Sequence, residues 1–115
     1  MKIHVNGHEW SIIFTSDPSN LRIGNTIHLG VTNKDTLQVY LNDDIRGDLL
    51  RKVLVHELTH VWMYSYGYFV DRETEEMLCS FVDTYAQDVI EHADEILGGN
   101  YRGYTYKTKR KFQKN

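Results

Sequence analysis

The chain has 115 residues, 41% apolar and 25% charged, which bounds it to one globular domain with a modest core. No apolar run approaches the roughly 20 residues of a membrane span, and MKIHVNGHEW lacks the apolar stretch of a secretion signal, so a cytoplasmic location is expected. A single cysteine excludes an internal disulfide framework, and the net charge of −3 hides an asymmetry: residues 101–115 hold six basic side chains and no acid, leaving 7 − 16 = −9 on the first 100.

In chain order, Lys2–Val5 and Glu9–Phe14 read as strands joined by Asn6-Gly7, the strongest two-residue hairpin turn. Ser16–Asn20 holds the single proline and reads as a loop. Two further strands follow, about Thr26–Thr32 and Thr36–Leu41, around an Asn33-Lys34-Asp35 turn; the alternation in Leu37–Leu41 is clean. These four short strands in sequence predict a small antiparallel sheet.

Asn42, Asp43 and Asp44 offer N-caps for a helix from about Ile45 to Tyr66 that stops near Gly67. At 100° per residue, Leu49, Val53, His56, His60 and Tyr64 share one face, and Val55, Leu58 and Trp62 form a second. A helix apolar on two sides is expected to lie centrally, between the sheet and a second helix. That second helix runs from about Arg72 to Leu97, capped by Asp71 and ended by Gly98-Gly99, with a stripe of Leu78, Phe81, Val82, Tyr85, Val89, Ala93 and Ile96. The predicted class is α+β, with a domain over residues 1–99 and a basic, flexible tail over 100–115.

The chemistry centres on His56-Glu57-Leu58-Thr59-His60. Histidines at i and i+4 lie ~40° apart and one turn along a helix, so both imidazoles can aim at one metal ion. Glu57 then stands beside the metal, where a carboxylate can deprotonate a water; this is the HExxH arrangement of zinc hydrolases. Chance produces the pattern only a few times per thousand chains this short, roughly. Uncharged flanks (Val53, Leu54, Leu58, Val61, Trp62) place it on a buried helix behind a cleft.

Catalytic zinc takes three protein ligands, so a third is required. The metzincin pattern needs Gly and His where this chain has Met63 and Tyr66, and no other histidine follows before His92. The second helix offers Glu73, Glu75 and Glu76. Glu75 lies within ~30° of the middle of the apolar stripe, Glu76 at its edge, and Glu73 faces away. A carboxylate centred on a core-facing stripe needs a cation; Glu75 is therefore the expected ligand, Glu76 the alternative and Asp71 an outsider. Cys79 can ligate metal or act as a nucleophile, although a small buried residue is its plainer role.

HELTH followed by a short loop and Glu75-Glu76-x-x-Cys79-x-Phe81-Val82 resembles the compact gluzincins of phages and prophages. It is similar in outline to the immunity-region metallopeptidases (ImmA/IrrE type), which cleave repressor proteins. The resemblance covers about residues 36–97 and implies a zincin-like fold. That family follows its ligand Glu with a small residue and later Phe-Ala, whereas this helix reads Glu75-Glu76 and then Cys79-Ser80-Phe81-Val82.

The expected function is a zinc metallopeptidase: Zn²⁺ on His56, His60 and Glu75, and Glu57 as general base that later protonates the leaving amine. Tyr64, Tyr66 and Tyr68 are candidate oxyanion donors. The strand Leu37–Leu41 is expected to bind an extended peptide by strand addition, as strands so placed do in minimal gluzincins. The expected partner is a protein or peptide substrate, including a regulator in trans. The rival class is a zinc-stabilised, non-catalytic interaction module. Nucleic-acid binding through the tail is disfavoured by the −9 of the body, and no membrane partner is expected.

Overall fold

The computed structural model describes residues 1–98; the basic segment 100–115 singled out above lies outside them. The elements in order are β1 (Lys2–Val5), β2 (His8–Thr15), a 3-10 turn (Pro18–Leu21), β3 (Arg22–Ile23), β4 (Thr26–Ile27), β5 (Gly30–Asn33), β6 (Gln38–Asn42), α1 (Gly47–Ser65) and α2 (Arg72–Ile96). The class is α+β, as the sequence predicts. Two compact units divide within α2: one is Met1–Thr84, and the second begins at Tyr85. Among the described residues no helix is long and apolar enough to cross a membrane.

The sheet is mixed rather than antiparallel, in the order β1-β2-β6-β5. Asn6 and Gly7 both take positive φ (47° and 81°), the conformation a tight hairpin between β1 and β2 requires. The predicted strand Thr26–Thr32 is interrupted at His28 and Leu29. Its first part folds back on β3 as a separate two-stranded sheet, and its second part, β5, pairs with β6 across the Asn33–Asp35 turn. The remaining edge of β6 then joins β2 in parallel, Ile12 opposite Val39 and Phe14 opposite Leu41. With both edges occupied, β6 is an interior strand, and Val39 and Leu41 are fully buried.

Trp10 and Ile12 from β2 join Val39 and Leu41 in the core with Val5 and Val61, and Leu50, Val53, Leu54 and Leu58 of α1 pack against them. α1 is held to the sheet by more than area. The Trp10 indole donates to Ser65 Oγ at 2.9 Å, and Asn6 Nδ2 donates to the Ser65 carbonyl at 2.9 Å, so the first hairpin grips the last turn of the helix.

Helix ends follow the sequence with one exception. Gly67 (φ 78°) closes α1 in a Schellman arrangement, with Tyr68 N–H on the Met63 carbonyl and Gly67 N–H on Tyr64. Asp71 Oδ1 accepts from Thr74 N–H and caps α2. At the start of α1, however, Arg46 occupies the cap position without a side-chain bond, because Asn42 ends β6 and its side chain serves Asp44 N–H in a turn. The stripe of α2 also departs from expectation: Leu78 and Phe81 are 39% and 57% exposed, and the buried residues of this helix are Glu75 and Cys79.

Candidate active site

The middle of α1 presents His56, Glu57 and His60, and the first turns of α2 present Glu75, Glu76 and Asp83 against them. Each imidazole is fixed through Nδ1: His56 lies 2.7 Å from Asp83 Oδ2, and His60 2.5 Å from Glu75 Oε2. Ionised carboxylates only accept, so both Nδ1 atoms donate, and in neutral rings both Nε2 atoms are left with lone pairs. Those Nε2 atoms converge on one side chain, with His56 Nε2 3.0 Å from Glu76 Oε2 and His60 Nε2 3.1 Å from Glu76 Oε1. Two lone pairs facing one carboxylate repel unless a cation or added protons stand between them.

The two orienting acids have ammonium partners of their own. Lys34 Nζ reaches both oxygens of Glu75 at 2.9 and 2.8 Å, and Lys52 Nζ reaches Asp83. Burial raises both carboxyls, but the bonds from Lys34 and His60 outweigh it at Glu75, and those from Lys52, His56 and Thr84 outweigh it at Asp83, so both stay below their ordinary values. His56 is held above its ordinary value: burial opposes the charged ring, but Asp83, Glu57 and Glu76 favour it more.

Around this cluster the charge count is uneven. Glu57, Glu75, Glu76 and Asp83 supply four negative charges and Lys34 and Lys52 two positive ones, so 2 − 4 = −2 remains. One divalent cation between two neutral imidazoles, or one added proton on each ring, brings that sum to zero. The donor set therefore fits such an ion, and the residues that could hold it are His56, His60 and Glu76. Cys79 is grouped with the two histidines: its Sγ and one ring nitrogen from each all lie within 4.8 Å of one another. Burial, with Glu76, Glu75 and Glu57 nearby, pushes the Cys79 thiol up to about 12.

Glu75 is thus buried, as its helical phase requires, but its partners are Lys34 Nζ and His60 Nδ1, and it does not face the two Nε2 atoms. Glu76, with 47% of its side chain exposed, faces them instead. Asp71 caps α2 instead.

Glu57 points to the sheet. Thr32 Oγ1 on β5 donates to Glu57 Oε1 at 2.8 Å, which leaves the other oxygen free of that bond. Burial pushes the carboxyl above its ordinary value, against the opposing pull of Thr32 and both imidazoles. Gly30 makes room for it, since a Cβ there would lie 2.8 Å from Val53 Cγ1 and 2.9 Å from Glu57 Cγ. Gly30→Ala is expected to displace Glu57 and cost about 1–3 kcal/mol of stability, as overpacking does. A thermal melt checks this, and an unchanged melt would mean that β5 simply moves aside.

A cleft of about 760 Å³ opens in front of these residues, bounded by β5 and its turn, by Ile23 and His28, and by Val70 and Arg72. The three tyrosines considered as oxyanion donors do not line it. Tyr64 is packed edge-on to Trp10 and His8, and Tyr66 and Tyr68 line a separate apolar groove with Trp62 and Leu78. Besides the histidines and glutamates of the site, the polar residues that line the cleft are His28, Thr32, Asn33, Lys34, Asp35 and Arg72. Nor is Leu37–Leu41 open to a peptide, because β2 and β5 cover both its edges; the edge along the cleft belongs to β5. Thr32, Lys34, Lys52 and Asp83 escaped the sequence reading, and only Asp83 left a trace there, lying two helical turns after Glu76. In comparisons with known proteins, no family model, curated relative or solved structure matches this chain.

Proposed function

We propose that the chain is a zinc metallopeptidase in which His56, His60 and Glu76 hold the metal and Glu57 is the general base. The observation that carries this reading is the convergence of both Nε2 atoms on Glu76 while both Nδ1 atoms are tied to carboxylates. Three protein donors with a vacancy for water match a catalytic rather than a structural zinc. Zinc bound there supplies a Lewis acid and a water of lowered pKa.

The chain's own residues do the rest. Glu57, kept basic by burial and steered by Thr32, takes the proton of the attacking water and passes it to the departing amine. His28, Asn33 or Arg72 supplies a donor for the carbonyl oxygen as charge develops on it. The free edge of β5 lies along the cleft and can receive an extended peptide as an added strand, which sets the scissile bond before Glu57. The substrate class is therefore a protein or peptide in extended conformation.

Purified protein is expected to contain about one zinc per chain. The double variant His56→Ala, His60→Ala should contain none and melt at a lower temperature. Elemental analysis decides, and zinc retained by that variant at one per chain would remove the proposal.

A further inference from the structure

Cys79 lies one turn beyond Glu76 on α2, is 0% exposed, and is free of any disulfide. Its burial is not that of an ordinary core residue. It is absent from the apolar cluster of Val5, Trp10, Ile12, Val39, Leu41 and Val61, and the stripe residues around it on α2 are substantially exposed. Its sulfur lies beside α1, within 4.8 Å of one ring nitrogen each of His56 and His60. Asp83 and Glu75 engage the two Nδ1 atoms and Glu57 is bonded to Thr32.

We propose that the Cys79 thiolate is a fourth protein donor to the metal, giving a closed His56–His60–Glu76–Cys79 centre as the resting form of the site. The inference rests on the metal-binding reading above and adds a state to it. Zinc bonds of about 2.0–2.1 Å to nitrogen and 2.3 Å to sulfur put tetrahedral donors roughly 3.3–3.6 Å apart. From the 4.8 Å limit the three donors therefore need to contract by at most about 1.2–1.5 Å, within reach of a side-chain rotation at Cys79. As the metal–sulfur bond forms, the water in that position leaves and the thiol proton passes to solvent; no electron is transferred. A site with four protein donors has no place for the nucleophile. Hydrolysis then proceeds only when Cys79 withdraws, and the thiolate also biases the site towards zinc over harder cations.

Cobalt(II) titration of the full chain tests this without any assay of activity. Since Cys79 is the only thiol in the sequence, a thiolate-to-cobalt charge-transfer band in the near ultraviolet reports its ligation alone. The expected result is the band in the parent protein at one cobalt per chain. Cys79→Ala should still take up one cobalt without the band, with affinity lowered at least roughly 10-fold, the smaller effect that even an outer-sphere partner has. One cobalt bound by the parent without the band overturns the inference and leaves the metallopeptidase reading standing. If the parent binds neither cobalt nor zinc, both are lost. Should Cys79→Ala fail to fold, Cys79→Ser serves, and the parent spectrum decides by itself.

Discussion

Glu57→Gln is expected to lower peptide hydrolysis by roughly 10²–10⁴-fold, the share of the rate that a positioned general base contributes. Zinc content and fold should be unchanged, because Glu57 is not among the donors facing the metal position. The amide keeps an oxygen that can accept from Thr32 Oγ1, as Glu57 Oε1 does at 2.8 Å, so the side chain stays in place beside Gly30. What is lost is the capacity to take a proton. Glu57 is only 6% exposed, and its burial disfavours the charged form, so the neutral replacement should melt no lower than the parent. The check is kcat/KM on a substrate cleaved by the parent, measured with metal content and melting temperature on the same preparation. Full activity in this variant would remove Glu57 as the general base, whereas a zinc-loaded parent that cleaves no peptide would place the chain among non-catalytic metal-stabilised interaction modules.

The parts of the molecule that were legible in the sequence are those fixed by local chemistry. The Asn6-Gly7 turn, the stop at Gly67, the cap at Asp71 and the i, i+4 histidines each depend on a few adjacent residues, and each is where the spacing puts it. The pairing of β2 with β6 in parallel depends on which strand fills the other edge of β6, which no alternation pattern records. Thr32 and Lys34 are remote from the motif in sequence, and only the packing of β5 and its turn against α1 and α2 brings them to Glu57 and Glu75. The apolar stripe of α2 is exposed for a physical reason. That stripe does not set the helix's orientation; the helix is turned by the polar pairs Lys52–Asp83, His56–Asp83 and His60–Glu75 instead. A stripe centre computed from apolar residues therefore marks Glu75 as inward-facing but leaves undecided which side of the imidazoles it meets.

That distinction gives the second large effect. Glu76→Ala is expected to weaken zinc binding by more than about 100-fold, beyond the roughly 10–100-fold typical of outer-sphere partners, since it removes a donor facing both Nε2 atoms. In the metal-free protein the same change should leave stability unaltered or raise it, because Glu76 is half exposed and belongs to a cluster with two surplus negative charges. Glu75→Ala should behave in the opposite sense. Zinc affinity falls within the outer-sphere range, because His60 Nδ1 loses the acceptor that fixes its ring. The metal-free protein, however, becomes less stable by about 1–3 kcal/mol, the usual result of leaving a buried donor unpaired, and Lys34 loses the carboxylate it holds with both contacts under 3 Å. Melting each variant with and without zinc, together with competition titrations for affinity, separates the two roles. Glu75→Ala losing the metal while Glu76→Ala keeps it would return the third ligand to Glu75 and require α2 to turn by about 100°, one residue, against α1.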